Sequence, residues 1–216
     1  MTTKQAETSQ PLAGARVVLG VSGGIAAYKA VEVCRRLVDL GAHVVPVLTE
    51  GALQFVGAPT FAALASEPPK TSLFADADPI PHTRLGQQAD VVVIAPATAR
   101  LIGSYAAGIS SDLLVATLLA TRAPVIVCPA MHTEMWEHPA VQDNLATLRR
   151  RGVHIVEPAE GRLAGGDSGK GRLAEPADIV AEVVRVAALT VPEKDQDLAG
   201  RRLLVTAGGT REPIDP

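Results

Sequence analysis

Five short runs of apolar residues punctuate this chain, at 16–21, 44–48, 91–95, 125–128 and 153–156. They are rich in Val, Ile and Leu and do not alternate with polar positions. Strands of that kind are buried on both faces, as in a parallel sheet sandwiched between helices. Between the runs the spacing changes to a helical one. Ala27, Ala30, Val31, Cys34, Leu37 and Val38 share one helical face, and Gly41 supplies the stop. An Ala/Leu-rich segment predicts a helix over 112–120. Pro139 suits the first turn of a helix running to Arg151, with Gly152 behind it. A closing helix is predicted over 176–189. Repeated strand–helix units with right-handed crossovers give an α/β fold with a doubly wound parallel sheet.

Composition narrows the class. With 47% hydrophobic and 20% charged residues the chain is globular and long enough for one sizeable domain. A net charge of −3 with both signs interspersed speaks against nucleic acid, which needs a concentrated basic patch. No apolar run approaches the roughly 20 residues of a membrane span. The polar start lacks an apolar signal core, so residues 1–14 read as a disordered tail and not a secretion signal. Cys34 and Cys128 are the only cysteines and form no CxxC, which fits a cytoplasmic protein without a disulfide framework. The main domain is expected over 15–189. A polar linker follows over 190–200, and the strand-and-turn pattern restarts over 201–216 as the opening of a second domain.

Candidate chemistry clusters after the apolar runs. Gly20, Val21, Ser22, Gly23, Gly24 and Ile25 join the first run to the first helix. Glycines there let backbone approach a phosphate, and a helix start adds free N–H groups and partial positive charge. The pattern is neither G-x-G-x-x-G nor a P-loop, and Thr49 stands where a ribose-binding acid would follow the second strand. A mononucleotide phosphate fits better; a glycine turn without ligand is the alternative. The small residues Ala95, Pro96, Ala97, Thr98 and Ala99 leave room for a flat ring, though an ordinary strand-to-helix turn reads the same way. His82, in a stretch of little regular pattern, is either an acid/base group or a solvated surface residue. The fourth run leads into Met131, Met135 and the single Trp, Trp136, as a binding loop or as a cover over the sheet end. His132, Glu134 and His138 are spaced H-x-E-x-x-x-H, not H-E-x-x-H, and Pro139 breaks any single helix carrying all three, so no metal is expected. The glycine-dense stretch 161–172 holds Arg162, Lys170 and Arg172 and reads as a flap over an anionic ligand or as a flexible surface loop.

Together these motifs resemble the flavin-dependent cysteine decarboxylases, in particular the phosphopantothenoylcysteine decarboxylase domain of bifunctional coenzyme A biosynthesis proteins. The resemblance rests on S-G-G-I-A-A-Y-K at 22–29, A-P-A-T-A at 95–99, P-A-M-x-x-x-M-W at 129–136 and G-D-x-G-x-G-R at 166–172, in that order. V-T-A-G-G-T-R-E-P-I-D-P at 205–216 resembles the start of a phosphopantothenate–cysteine ligase domain. The resemblance implies a flavodoxin-like three-layer α/β/α sandwich and FMN as cofactor. The FMN phosphate would meet Ser22, Gly23, Gly24, Ile25 and Thr49, and its ring Pro96, Ala97, Thr98, Ser110 and Ser111; Phe55 and Met131 complete the cofactor set. The implied reaction oxidises the cysteine thiol of 4′-phosphopantothenoylcysteine to a thioaldehyde, releases CO2 and re-reduces the product to 4′-phosphopantetheine.

His82 matches the family's active-site histidine. Arg84, His132, Met135 and Trp136 match substrate-binding positions, and Gly165, Asp167, Lys170 and Arg172 lie in the flap. Two departures stand out. His132 replaces an Asn that binds the substrate carboxylate, and Gly165 replaces a Cys that protonates the enethiolate intermediate. Lys170, Asp167 and His132 are the candidate substitutes. The resemblance further implies active sites between subunits of a trimer that assembles to a dodecamer, with the apolar region 104–120 as a contact. It also implies a CTP-using ligase activity in the full-length protein. A flavin prenyltransferase of the same fold and a non-catalytic flavin-binding module are the other functions considered.

Overall fold

The computed structural model describes residues 10–74 and 79–190. The described chain runs β1 (Arg16–Val21), α1 (Ala27–Asp39), β2 (His43–Leu48), α2 (Ala58–Leu64), α3 (Pro81–Gln88), β3 (Val91–Ala97), α4 (Ala99–Ala107) and α5 (Leu113–Ala120). It continues through β4 (Val125–Pro129), α6 (Thr133–Glu137), α7 (Pro139–Arg150), β5 (His154–Ile155), β6 (Ala159–Arg162), β7 (Ser168–Arg172) and α8 (Pro176–Thr190). The first five strands pair in parallel in the order β2-β1-β3-β4-β5, and β6 and β7 form a separate antiparallel hairpin. This is the expected α/β, flavodoxin-like three-layer sandwich.

The strand pleat sorts side chains to two cores. Val17, Leu19 and Val21 of β1 join residues of α1, α2 and α8 on one face. Val18 joins Val45, Val92 and Ile94, together with residues of α3, α4, α5 and α7, on the other. Both faces of β1 are therefore sealed, which is why its sequence is an unbroken apolar run.

Five differences from the sequence pattern have local causes. Helices α2 and α3 bury only Phe61 and Leu85 among their large apolar residues, so neither leaves a sustained period. Pro81 opens α3, and His82 therefore sits in a helical first turn and not in an irregular stretch. Strand β3 does not stop at Pro96: its register with β4 shifts between Ile94 and Ala97, an irregularity of the kind that accommodates a proline. The stretch 161–172 lies almost wholly within the β6–β7 hairpin, with a turn at 163–167. Residues 113–118 of α5 are all buried within the chain itself, leaving Leu119, with Ile109 just upstream, as the large exposed apolar residues of the expected contact region.

Residues 10–14, expected in the tail, form a turn that buries Leu12, whose N–H donates to Leu40 at 3.1 Å. Residues 1–9 and 191–216, which include the ligase-like segment, lie outside the described residues. No helix among the described residues is long and apolar enough to cross a membrane.

Both cysteines sit in the first core. Burial pushes the Cys34 thiol up to about 11 and pushes Cys128 higher still, with Glu182 adding to the Cys128 shift. Neither thiolate forms near neutrality, and the thiolate is the reactive species. Iodoacetamide at pH 8 is expected to leave both unmodified in the folded protein and to label both in urea, as read by intact mass.

Candidate active site

The sheet order reverses between β1 and β3, because the chain leaves β1 for β2 on one side and returns to β3 on the other. Open α/β sheets bind ligands outside the carboxyl ends of their strands at such a point. Here the two loops are tied by Ser22, which is 2% exposed. Its Oγ donates to the Pro96 carbonyl at 2.8 Å and accepts from the Thr98 N–H at 3.0 Å. The hydroxyl of Ser22 thus joins the loops after β1 and β3. Gly23 presses on the segment after β2: a Cβ at 23 would fall 2.5 Å from the Gly51 carbonyl carbon. Thr49 is buried, and its Oγ1 accepts from the Ala52 N–H at 3.1 Å.

Helix α1 starts without a side-chain cap and without an acidic residue in its first turn. By contrast, Thr98 caps α4 and Asp112 caps α5. No side chain competes with a ligand at the start of α1, although the Ala27 and Lys29 N–H groups already donate to the Gly24 and Ala26 carbonyls, at 2.9 Å and 3.0 Å.

Two cavities meet at this edge and share Gly23, Thr98, Ala99 and Met135. The larger, about 490 Å³, takes in Gly24, Ile25, Met131, His132 and Arg172. Its volume falls within the roughly 300–1,000 Å³ range of small-molecule sites. The smaller, about 330 Å³, takes in Ser22, Thr49 and Ser111. Residues missed from sequence include Lys29 in the larger cavity and Arg100, Ser104 and Asp112 in the smaller; Arg162, read as part of the candidate flap, also lines the larger. Lys29 lies inside the 22–29 motif, whereas Arg100 and Ser104 belong to the short helix α4.

Other expected site residues line neither cavity. Pro96 and Ala97 are buried beneath, Pro96 serving through its carbonyl. Phe55 and Ser110 are exposed outside both linings. His82 and Arg84 also stand apart, and the buried Nδ1 of His82 has no hydrogen-bond partner among the described residues. Trp136 is 6% exposed and belongs to the second core, so it packs under the loop while its neighbour Met135, 48% exposed, faces both cavities.

The hairpin lies flat on the loop after β4. Met131 N–H donates to the Gly171 carbonyl at 3.0 Å, and a side chain at Gly169 or Gly171 would run into Thr133 or the Met131 carbonyl. The glycine density of 161–172 is what permits this contact. Lys170 stands 5.3 Å over the Trp136 ring and pairs with Glu157 at 2.9 Å. Lys29 and Arg172 both pair with Glu175, at 3.2 Å and 2.7 Å.

His132 is held from two sides. Its Nδ1 is 2.8 Å from Glu134 Oε2, and its Nε2 is 3.6 Å from Asp167 Oδ1. The Glu134 hydrogen bond, then the Asp167 charge, hold its pKa above the ordinary histidine value, while Glu134 is lowered chiefly by the same bond. One ligating atom each from His132, Glu134 and Asp167 lies within 4.8 Å of the others. His138 is not among them; its Nδ1 accepts from Ala140 N–H and caps α7.

A sheet-switch groove with an uncapped helix start and a turn in close backbone contact defines a mononucleotide-binding protein of the flavodoxin-like class. The family model described as Flavoprotein matches residues 5–188. The coenzyme A biosynthesis bifunctional protein CoaBC of Mycobacterium tuberculosis is 59% identical over 204 residues, which is 93% of this chain and 48% of that protein. The chain spans about half the length of the curated relatives it matches. A PPC decarboxylase with a cysteine-to-serine mutation, solved with pantothenoylaminoethenethiol, is 33% identical with a TM-score of 0.70, covering 78% of this chain and 96% of that one. The FMN-dependent cysteine decarboxylase SpaF is 32% identical with a TM-score of 0.69, covering 82% and 99%. The chain belongs to the Flavoprotein family, the family of the PPC decarboxylases.

Proposed function

We propose that this chain is an FMN-dependent decarboxylase that converts 4′-phosphopantothenoylcysteine to 4′-phosphopantetheine. The observation that carries the reading is the joined groove. At one end lie the uncapped start of α1 and the turn holding Gly23 and Gly24. At the other lie His132, Met135 and the hairpin.

The groove fits FMN. The uncapped start of α1, Thr49, Ser111 and Arg100 suit a phosphate, and the apolar walls at Ile25, Met131 and Met135 suit a flat ring. The bound flavin supplies two-electron chemistry, taking electrons from the cysteine thiol and returning them after CO2 has left. The protein's share is to hold the substrate and manage its protons. His132 is placed to face the substrate carboxylate, Met135 to pack on the reacting cysteine, and Arg162 and Arg172 to line the hairpin side of the substrate groove.

His82 and Arg84 face neither cavity of their own chain, which supports a site completed by a second copy. Ile80, Ile109 and Leu119, exposed beside α3 and α5, are apolar material for that contact. In the intact protein, a trimer-based assembly working in the cytoplasm and a second, CTP-dependent ligase activity complete the reading.

The purified protein is expected to be yellow, to bind one FMN per chain and to release CO2 from the substrate. His82→Ala is expected to slow CO2 release by about 10²–10⁴ with flavin retained, the range of a lost acid/base group. A colourless protein that takes up no FMN would sink the reading; bound FMN with no CO2 from the wild type would make it a binding module.

A further inference from the structure

His132, Glu134 and Asp167 form a cluster at the cavity wall that FMN binding does not absorb. His132 is the member that lines the larger cavity. A Cβ placed on Gly165 would lie 3.0 Å from His132 Nε2 and 3.1 Å from Asp167 Oδ1. The imidazole therefore lies beside the space into which a side chain at 165 would project. The two departures from the family pattern thus meet in space, a histidine from the loop after β4 beside the glycine of the hairpin turn.

We infer that His132 is the acid that protonates the decarboxylated intermediate in this enzyme, with Glu134 and Asp167 as its positioning residues. The inference rests on the decarboxylase reading above. The geometry gives each atom a task. Glu134 accepts a hydrogen bond from Nδ1–H, which fixes the ring and leaves Nε2 as the second donor. Nε2 faces the Asp167 carboxylate and the site of position 165.

A protonated ring here pairs with the substrate carboxylate. When CO2 leaves, the carbon that carried it is next to the same ring. The electrons of the broken C–C bond stay on the carbon–carbon–sulfur unit as an enethiolate. The Nε2 proton then moves to that carbon, a C–H bond forms, and the C=S bond is restored. His132 becomes neutral and is reprotonated from solvent. No electrons are gained or lost in this step.

The surroundings favour the charged ring. Glu134 faces it from its own segment and Asp167 from the hairpin. The nearby cations are engaged elsewhere: Lys170 with Glu157, and Lys29 and Arg172 with Glu175. Arg162 also lines the cavity. The carboxylates keep the imidazolium to a higher pH than a free histidine would, so proton donation is present below that raised value and is lost as pH climbs through it.

Two measurements test this on the FMN-loaded protein. In single-turnover mass analysis, His132→Asn is expected to release CO2 yet form saturated thiol about 10²-fold or more slowly, accumulating a product two mass units lighter. Saturated thiol at the wild-type rate in His132→Asn would overturn the assignment. Glu134→Gln tests the same point without touching the ring. By proton NMR, which needs no turnover, the His132 midpoint is expected to fall in that variant, and the alkaline limb of product formation to move to lower pH with it. An NMR midpoint that falls while the limb stays put would overturn the role. A wild type that releases no CO2 would instead remove the decarboxylase reading and is told apart by that product alone. Treatment with EDTA is expected to change nothing; activity lost to EDTA and restored by zinc would make the cluster a metal site.

Discussion

Gly23→Ala is expected to abolish FMN retention on gel filtration and to destabilise the fold, while Gly51→Ala does neither. The two glycines touch, so the contrast follows from direction and not from distance. A methyl on Gly23 would lie 2.5 Å from the Gly51 carbonyl carbon and 2.7 Å from its oxygen. Those are backbone atoms at the end of β2 and cannot swing aside. The turn after β1 and the turn after β2 would have to separate, and the overpacking cost is about 1–3 kcal/mol or more. The same movement would pull on Ser22, whose bonds to Pro96 and Thr98 join the β1 and β3 loops. The rim of the phosphate end would shift as a unit. A methyl on Gly51 would meet Gly23 Cα at 3.4 Å, an ordinary contact, from a backbone at φ −63° and ψ −34° that alanine adopts freely. Its effect is expected to lie within about 1 kcal/mol, with a slight gain from the stiffer unfolded chain. Flavin content and urea midpoints measured on both variants decide it. Loss of FMN in Gly51→Ala, or retention in Gly23→Ala, would show that the close approach does not shape the site.

The same pair of turns shows what a sequence can display. The buried strands were legible because sealing both faces of a sheet demands an unbroken apolar run, and β1 to β4 all carry one. The glycine turn was legible because only small residues permit the approach of Gly23 to Gly51. Short helices such as α3 were not, because burying Leu85 alone among large side chains leaves no period to detect. The tie made by Ser22 was not legible for a different reason: the carbonyl of Pro96 that accepts its hydroxyl proton is 74 residues away. The alliance of His132 with Asp167 and the space at Gly165 was likewise invisible, because it joins a loop to a hairpin whose register exists only in the fold. Local rules reveal elements; the site is made where distant elements meet.

The loop after β4 divides this way within two consecutive residues, and the division predicts opposite effects. Trp136→Ala is expected to cost about 3–5 kcal/mol, the range for emptying a buried aromatic site. That is a large share of a typical total of roughly 5–15 kcal/mol. Trp136 is 6% exposed and sits in the core that includes Leu145 and Leu148 of α7, and its carbonyl accepts from Gln142. Lys170 over the ring adds only about 0.5–1 kcal/mol at so exposed a position, so the cavity dominates the loss. A fall in Tm on the order of 10 °C is expected. Trp136→Phe should recover part of it, because most of the apolar volume returns. Met135→Ala removes a side chain that is 48% exposed and lines both cavities. Its stability is expected to stay within about 0.5 kcal/mol of wild type. Its KM is expected to rise, because the side chain faces the cavities and not the core. If Met135→Ala unfolds early and Trp136→Ala does not, the division is reversed and Trp136 is the residue that meets substrate. The outcome turns on a helical turn, α6, of only five residues: it aims one side chain of the pair into the sheet and the other out over the groove.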